Sequence, residues 1–518
     1  MKRTFRNRHY SSLIIFTIIL LFAGCKTTRR YQPEAYESMS KKREFRGAWI
    51  QTAWQGEYAS MTPAEMRADF TRKLDELEAC GINALIFQVR PEADAFYASS
   101  IEPTSRFLTG RQGAPLKEGF DPMAFLIEEC HARNMEFHAW LNPYRASMSG
   151  AHTLADNHLY FREPSRFVTY NKQILFDPGV PANRDYICRV VTDIVSRYDV
   201  DAIHMDDYFY PYPVAGVSFP DDRSFNQYGR AEGYTLATRN AWRRNNVNRL
   251  IRDISGAILM EKPWVRFGIS PFGIYRNAKS TPDGSGSATG GLQNYDDLHA
   301  DVMKWVREGW IDYNMPQVYW EIGLSVADYA ELLPWWNKQY QNEEVKGHLY
   351  IGQDVARTMK AGQLNEKITS QRSQSDVDGI CFWPANEIMW NNGGIADELK
   401  KNYNRTKALI PAYTHQHNRV PEPVSRLRSK YTEYGHHLQW IAEQDPRNPE
   451  DATYFVVYRF RRGEEINLDD ARHIVATTRY CFYELPYEGG KNEWVYVVTS
   501  VDQFHNENTK VKKIKVKI

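Results

Sequence analysis

"TPAEMRADFTRKLDELEACGINALIFQVR", residues 62–90, carries the pattern on which the fold turns. Thr62 can cap a helix, Pro63 suits its first turn and Gly81 stops it. The run 82–90 is then continuously apolar, as in a parallel strand covered on both faces. Upstream, "FRGAWIQT" (45–52) is strand-like. Downstream, "DPMAFLIEECHARN" reads as a helix capped by Asp121, and "EFHAWLNPY" (136–144) as a strand. Residues 145–176 form a long connection, a helix follows near 182–198, and "DAIHMDDYF" (201–209) is the next strand. The second half keeps the rhythm, with strands at 266–273, 311–320, 347–354 and 378–386. Helices are expected near 240–261, in "YDDLHADVMKWVREG", near 325–341 and 361–374, and in "GGIADELKKNY". Eight strand–helix units predict an α/β chain folded as a closed (β/α)₈ TIM barrel over residues 44–404. No GxGxxG or GxxxxGK[ST] follows any strand, so nucleotide binding has no support.

Beyond the barrel, residues 405–420 read as a proline-bearing linker. Residues 421–518 change character: "YFVVYRF", "HIVATT", "WVYVVTSVD" and similar runs alternate or are β-rich. They predict a small all-β sandwich of about seven strands, which resembles a fibronectin type III module.

The 518 residues are 42% hydrophobic and 25% charged, which provides ample core. A net charge of +1 argues against a nucleic-acid partner. Fourteen Trp and 32 Tyr suit the faces of sugar rings, although they are ordinary core residues too. At the N-terminus, Lys2, Arg3, Arg6 and Arg8 precede the apolar run Leu13–Phe22, which is short for a membrane span. "LFAGC" (21–25) resembles a bacterial lipoprotein signal, with Phe22 where Leu is usual. Residues 1–24 are therefore expected as a signal peptide, Cys25 as the lipidated residue and 25–43 as a tether. That predicts a chain held in the cell envelope by a lipid anchor, periplasmic or surface-facing. Cys80, Cys130, Cys188, Cys381 and Cys481 show no metal-ligand spacing; they read as buried thiols, with a disulfide left open.

Barrel chemistry gathers at the C-terminal ends of strands. Arg90, Glu92 and Asp94 follow the second strand; Asn142, Tyr144 and Arg145 follow the third. Asp206 and Asp207 end the fourth, and Ser270 lies on the fifth. Gln317, Tyr319 and Glu321 belong to the sixth, Asp354 to the seventh, and Trp383, Asn386 and Glu387 to the eighth. Alternation along the fourth strand points Ala202, His204 and Asp206 inward and Ile203 and Met205 outward. Asp207 then faces away unless the strand has already ended. A turn or capping acid is the plain alternative for the pair.

"FRGAWIQTAW", "FQVRPEADAFYAS", "AWLNPYR", "HMDDYFYP", "GISPFGIYRN" and "MPQVYW" together resemble the glycosyl-hydrolase-like 10 family across most of residues 45–400. The resemblance implies a glycoside hydrolase acting on a bacterial envelope polysaccharide, including peptidoglycan stripped of peptides. More distantly, His204-Met205-Asp206 is similar to the Arg-x-Asp of α-amylase-like barrels, whose Asp is the nucleophile, with His in place of Arg.

Glycoside cleavage normally uses two carboxylates. Asp206 is the first candidate; Asp207, Glu321 and Glu92 compete for the second place, and Asp354 and Glu387 remain further candidates for it. Glu321 reads more simply as an exposed loop acid, and Asp94 can instead be an ion-pair partner of Arg90. Substrate-binding candidates are Arg90, Asp94, Asn142, Tyr144, His204, Tyr208, Tyr210, Gln317, Tyr319, Trp320, Trp383 and Glu387; any of the aromatics can instead pack under a loop. No cofactor or metal is expected. Two other readings stay open: a glycan-binding lipoprotein without a competent acid pair, and a metal-dependent hydrolase using His138, His204, Asp206 and Asp207.

Overall fold

The computed structural model describes residues 40–342 and 344–518. The expected leader, Cys25 and most of the tether lie outside the described residues. Eight parallel strands close a barrel: Phe45–Ile50, Ala84–Arg90, Glu136–Leu141, Ala202–Met205, Arg266–Ile269, Tyr313–Asn314, His348–Asp354 and Val377–Trp383. They are called strands one to eight below. Strand one pairs with both strand two and strand eight, which completes the ring. Helices sheathe it. Pro63–Ala79 begins at Thr62, whose hydroxyl and the Glu65 carboxylate form a reciprocal cap. Asp121 caps Pro122–Ala132 in the same role.

Strands four, five and six stop earlier than their apolar runs suggest. Pro271 and Pro316 lack the N–H a ladder needs, so pairing beyond them shrinks to isolated bridges at Phe272, Gln317 and Gly352. The helix expected in "YDDLHADVMKWVREG" is also shorter, Val302–Arg307: His299 sits at a left-handed φ of 55° and Asp301 caps the helix from there. The connection 145–176 contains a three-stranded antiparallel sheet beside the barrel mouth.

The interior of the barrel is a core of its own, separate from the layer between strands and helices. Phe45, Trp49, Ala84, Ile86, Trp140, Ala202, Tyr313, Tyr350 and Cys381 pack there, with Ile410 and Tyr413 entering from below. Gly268 makes room for it. A Cβ at that position would lie 1.8 Å from the Tyr313 ring, so glycine lets the tyrosine cross the barrel.

Residues 425–517 form two antiparallel sheets. One contains Ser425–Thr432, Gly435–Ile441 and Phe482–Glu484; the other contains Ile474–Thr478, Tyr454–Arg461, Glu493–Val501 and Lys513–Lys517. Leu438, Trp440, Phe455, Val457, Tyr496 and Val498 fill the space between them. The outer face of the four-stranded sheet, including Tyr454, Val456 and Tyr458, packs with Leu409. The middle of the segment expected as a linker, with Leu409, Ile410 and Tyr413, is therefore buried against the barrel bottom. Tyr413 Oη lies 2.8 Å from Tyr350 Oη, and Arg43 donates to the carbonyl of Ile410. All five described cysteines are free thiols.

Candidate active site

The polar layers inside the barrel are joined by one chain of hydrogen bonds, and a single atom sets its direction. The Trp49 indole N–H can only donate, and it donates to His204 Nε2 at 3.2 Å. His204 Nε2 is therefore an acceptor, and Ser270 Oγ approaches the same nitrogen at 2.9 Å. Nδ1 of His204 must then carry the proton, which it gives to Tyr313 Oη at 3.0 Å. Tyr313 in turn donates to His138 Nδ1 at 2.8 Å, and His138 Nε2 donates to Glu136 at 3.0 Å. The other oxygen of Glu136 receives Arg266 and, at 2.6 Å, His505 of the β-rich region. Burial holds His204 well below the usual imidazole value, in keeping with its neutral place in the chain. His204 thus supports the site from beneath and does not line it.

Above this column lies an open cavity of about 390 Å³. Asp206 and Asp207 both face it. Strand four ends at Met205, so its alternation no longer governs Asp207, which meets the condition under which that residue need not turn outward. Asp206 accepts from Trp140 Nε1 at 3.1 Å, from Asn142 Nδ2 at 3.1 Å and from the Tyr208 backbone N–H at 3.3 Å. Burial pushes its pKa up, opposed by the Arg145 charge and these donors. Asp207 receives the Tyr212 hydroxyl. Burial and the Asp206 charge push it up to about 6, against the Tyr212 and Gln317 hydrogen bonds. With Asp207 raised to about 6, this carboxyl can keep its proton in mildly acidic conditions where an ordinary aspartate is ionised, a property suited to acid–base work.

Aromatic side chains form the rest of the wall. Trp49, Trp140 and Trp383 meet edge to face, with centroids 6.5 Å apart for Trp49–Trp383 and 6.0 Å for Trp140–Trp383. Tyr208 stacks on Tyr212 at 5.2 Å, Arg145 lies over the Tyr208 ring, and Trp320 meets Phe272. Trp54 is exposed at the rim. Gln51, Gln88, Gln317, Tyr319 and Ser270 add polar atoms.

Of the expected residues, Arg145, Asp206, Asp207, Tyr208, Ser270, Gln317, Tyr319, Trp320 and Trp383 come together here. Asn142 touches Asp206 from behind. The others lie elsewhere. Arg90 pairs with Glu102 through two short bonds, not with Asp94. Glu92 is buried against Arg106 and accepts from the Met148 N–H, so it does not reach the cavity. Asp94, raised to about 7 by burial and the Glu92 charge, bonds Gln112. Tyr144 and Tyr210 are core residues. Glu321 sits near Lys367, Asp354 caps the helix Val355–Ala361, and Glu387 bonds Asn392. Both ring nitrogens of His138 and of His204 are engaged, and among the described residues no group of three or more His, Cys, Asp or Glu is gathered as a metal site.

The cavity also includes Trp49, Gln51, Trp54, Gln88, Trp140, Met148, Tyr212 and Phe272, which the sequence does not single out. Alternation along strands one to three marks four of them, since Trp49 and Gln51, Gln88, and Trp140 share the inward faces.

The chain is similar in sequence to known proteins. The family described as Glycosyl hydrolase-like 10 matches residues 44–370. The glycosyl hydrolase YngK of Bacillus subtilis is 36% identical over 485 residues, covering 90% of this chain and 92% of its own. The glycosyl hydrolase DigH of Escherichia coli K12 is 34% identical over 368 residues, 65% of this chain and 81% of its own. Among solved structures, α-L-fucosidase isoenzyme 2 from Paenibacillus thiaminolyticus aligns over 70% of this chain and 49% of its own, with 10% identity and a TM-score of 0.45. By its family match and these relatives, the chain belongs to the glycosyl hydrolase-like 10 family and is a glycoside hydrolase.

Proposed function

We propose that this glycosidase cleaves a bacterial envelope polysaccharide, with peptide-free peptidoglycan strands as the first candidate, and that Asp206 and Asp207 carry the chemistry. The observation behind this reading is the pair itself: two buried acids on the wall of an aromatic cavity, with Asp207 raised to about 6. Asp207 protonates the leaving oxygen and later takes a proton from water. Asp206, held by Trp140 and Asn142, supplies negative charge beside the reacting carbon. The rings of Tyr208, Tyr212, Trp54 and Trp320 offer flat faces to neighbouring sugars. The envelope assignment draws on the leader-like N-terminus.

The test is release of new reducing ends from purified glycans. Asp206→Asn should lower turnover by roughly 10³-fold while glycan binding is retained. Equal rates for the variant and the unaltered enzyme would remove Asp206 from the chemistry. Binding without turnover by the unaltered protein would favour a glycan-binding role instead.

A further inference from the structure

Glycosidases usually set their two carboxylates on opposite faces of the scissile bond, about 5 Å apart for retention and about 6.5–9.5 Å for inversion. Among the described residues, the carboxylates lining this cavity are Asp206 and Asp207, consecutive residues that leave one strand end together. Strands one and eight, on another side, bring Trp49 and Trp383. Glu92, the family-like alternative, is spent on Arg106. An attacking carboxylate facing an acid across the sugar is therefore missing from the described wall, yet two acids share one side.

The surface beside Asp206 has a matching peculiarity. Trp49, Trp140 and Trp383 all line the cavity with Asp206, the first two meeting Trp383 edge to face, and two of their indole N–H groups are already committed, to His204 and Asp206. What remains toward the cavity is mainly aromatic carbon. A sugar hydroxyl placed there would lose its hydrogen bonds, whereas a methyl group would gain contact. Asp206 accepts from Trp140 Nε1 and so lies directly beside these rings, with lone pairs left to accept from a substrate.

Building on the glycosidase reading, we infer that the site acts on glycosides of 2-acetamido-2-deoxy sugars and uses the substrate's own acetamido oxygen as nucleophile. The methyl group sits among the three tryptophans, and the acetamido N–H donates to Asp206. As the acetamido oxygen bonds to C1, the bond from C1 to the leaving oxygen breaks and Asp207 gives that oxygen its proton. The acetamido nitrogen passes its proton to Asp206, leaving a neutral oxazoline. Water then adds to C1, Asp207 recovers a proton from it, and the C1–O bond of the ring opens as Asp206 returns the proton to nitrogen. One water is consumed and the configuration at C1 is retained. No co-reactant is needed.

The experiment uses the unaltered enzyme on chitooligosaccharides and peptide-free peptidoglycan strands, with the N-deacetylated oligosaccharides and an acetamido-free glucan as controls. The expected result is cleavage of acetamido glycans only, first-formed product of retained configuration by NMR, and inhibition by a thiazoline analogue of the ring intermediate. Replacing acetyl by trifluoroacetyl on an otherwise identical substrate should slow turnover by roughly 10²-fold, because the nucleophile is weakened. Inverted product, equal cleavage of an acetamido-free glycan, or indifference to fluorination would overturn the assignment and leave the glycosidase reading standing. Failure to cleave any of these glycans would overturn both.

Discussion

Glu136 at the bottom of the barrel and Asp207 at its mouth are carboxylates buried to nearly the same degree, 4% and 3% exposed, and they ionise in opposite directions. Burial works against the charge on both. At Glu136 the Arg266 guanidinium and the His505 and His138 donors outweigh it and hold the group well below the usual carboxylate range. At Asp207 the nearest charge is another acid, and the group rises to about 6. Depth alone therefore does not mark a reactive group; the sign of its neighbours does. One acid is spent on structure, and the other is left able to exchange a proton.

The comparison would break if both ends answered mutation alike. The largest effect expected is the roughly 10³-fold loss for Asp206→Asn, with a melting temperature close to that of the unaltered enzyme. Next is Glu136→Gln, which leaves Arg266 buried without its counter-charge. About 3–5 kcal/mol of stability should be lost in urea unfolding, while turnover per folded molecule is unchanged. A collapse of activity in the folded variant would show that the bottom takes part in chemistry.

Asp207→Asn sharpens the contrast through pH. Because the folded pKa is raised from 3.8 to about 6, the folded state binds a proton more readily than the unfolded chain between those values. Its contribution to stability is therefore lost as pH rises through that window, by about 3 kcal/mol at most once the group is ionised. The variant should be more stable than the unaltered protein at pH 8 and equal at pH 4. Its turnover should lose the decline above about pH 6 that the unaltered enzyme shows as its acid deprotonates, at a rate lower by roughly 10²-fold. Glu136 has the opposite sign: its contribution is complete above the usual carboxylate value of 4.5 and disappears as pH falls toward its lower folded value. The smallest effect expected is His505→Ala, which removes one hydrogen bond from Glu136 and should cost about 1–3 kcal/mol in thermal unfolding without moving the pH profile of turnover.

Much of this arrangement is legible in the chain. Eight apolar runs, each beside a helix, lead to the barrel, and alternation along strand four places Ala202 and His204 inward. The limits are physical. Asp207 faces the cavity because the strand ends at Met205, and strand ends depend on neighbours and on prolines in the next strands. Alternation also points Trp49 and Trp140 inward, but their meeting with Trp383 depends on the register between distant strands. Ion pairs are harder still. Arg90 looks like a mouth residue until Glu102, carried in by a loop, takes both arms of its guanidinium. The same applies to Glu92 and Arg106.

The hydrogen bond between Glu136 and His505 spans 369 residues of chain. A ribosome adding about 5–20 residues per second needs roughly 20–70 s to travel that distance. Throughout that interval the Glu136 end of the third strand lacks its last partner, and for most of it the first strand waits for the eighth, Val377–Trp383, which closes the ring. The barrel therefore persists unfinished, with apolar strand edges open, until the eighth strand is made, and Glu136 waits longer still for the β-rich region to bring His505. Its greatest exposure to misassembly falls during its own synthesis, long before it meets a glycan.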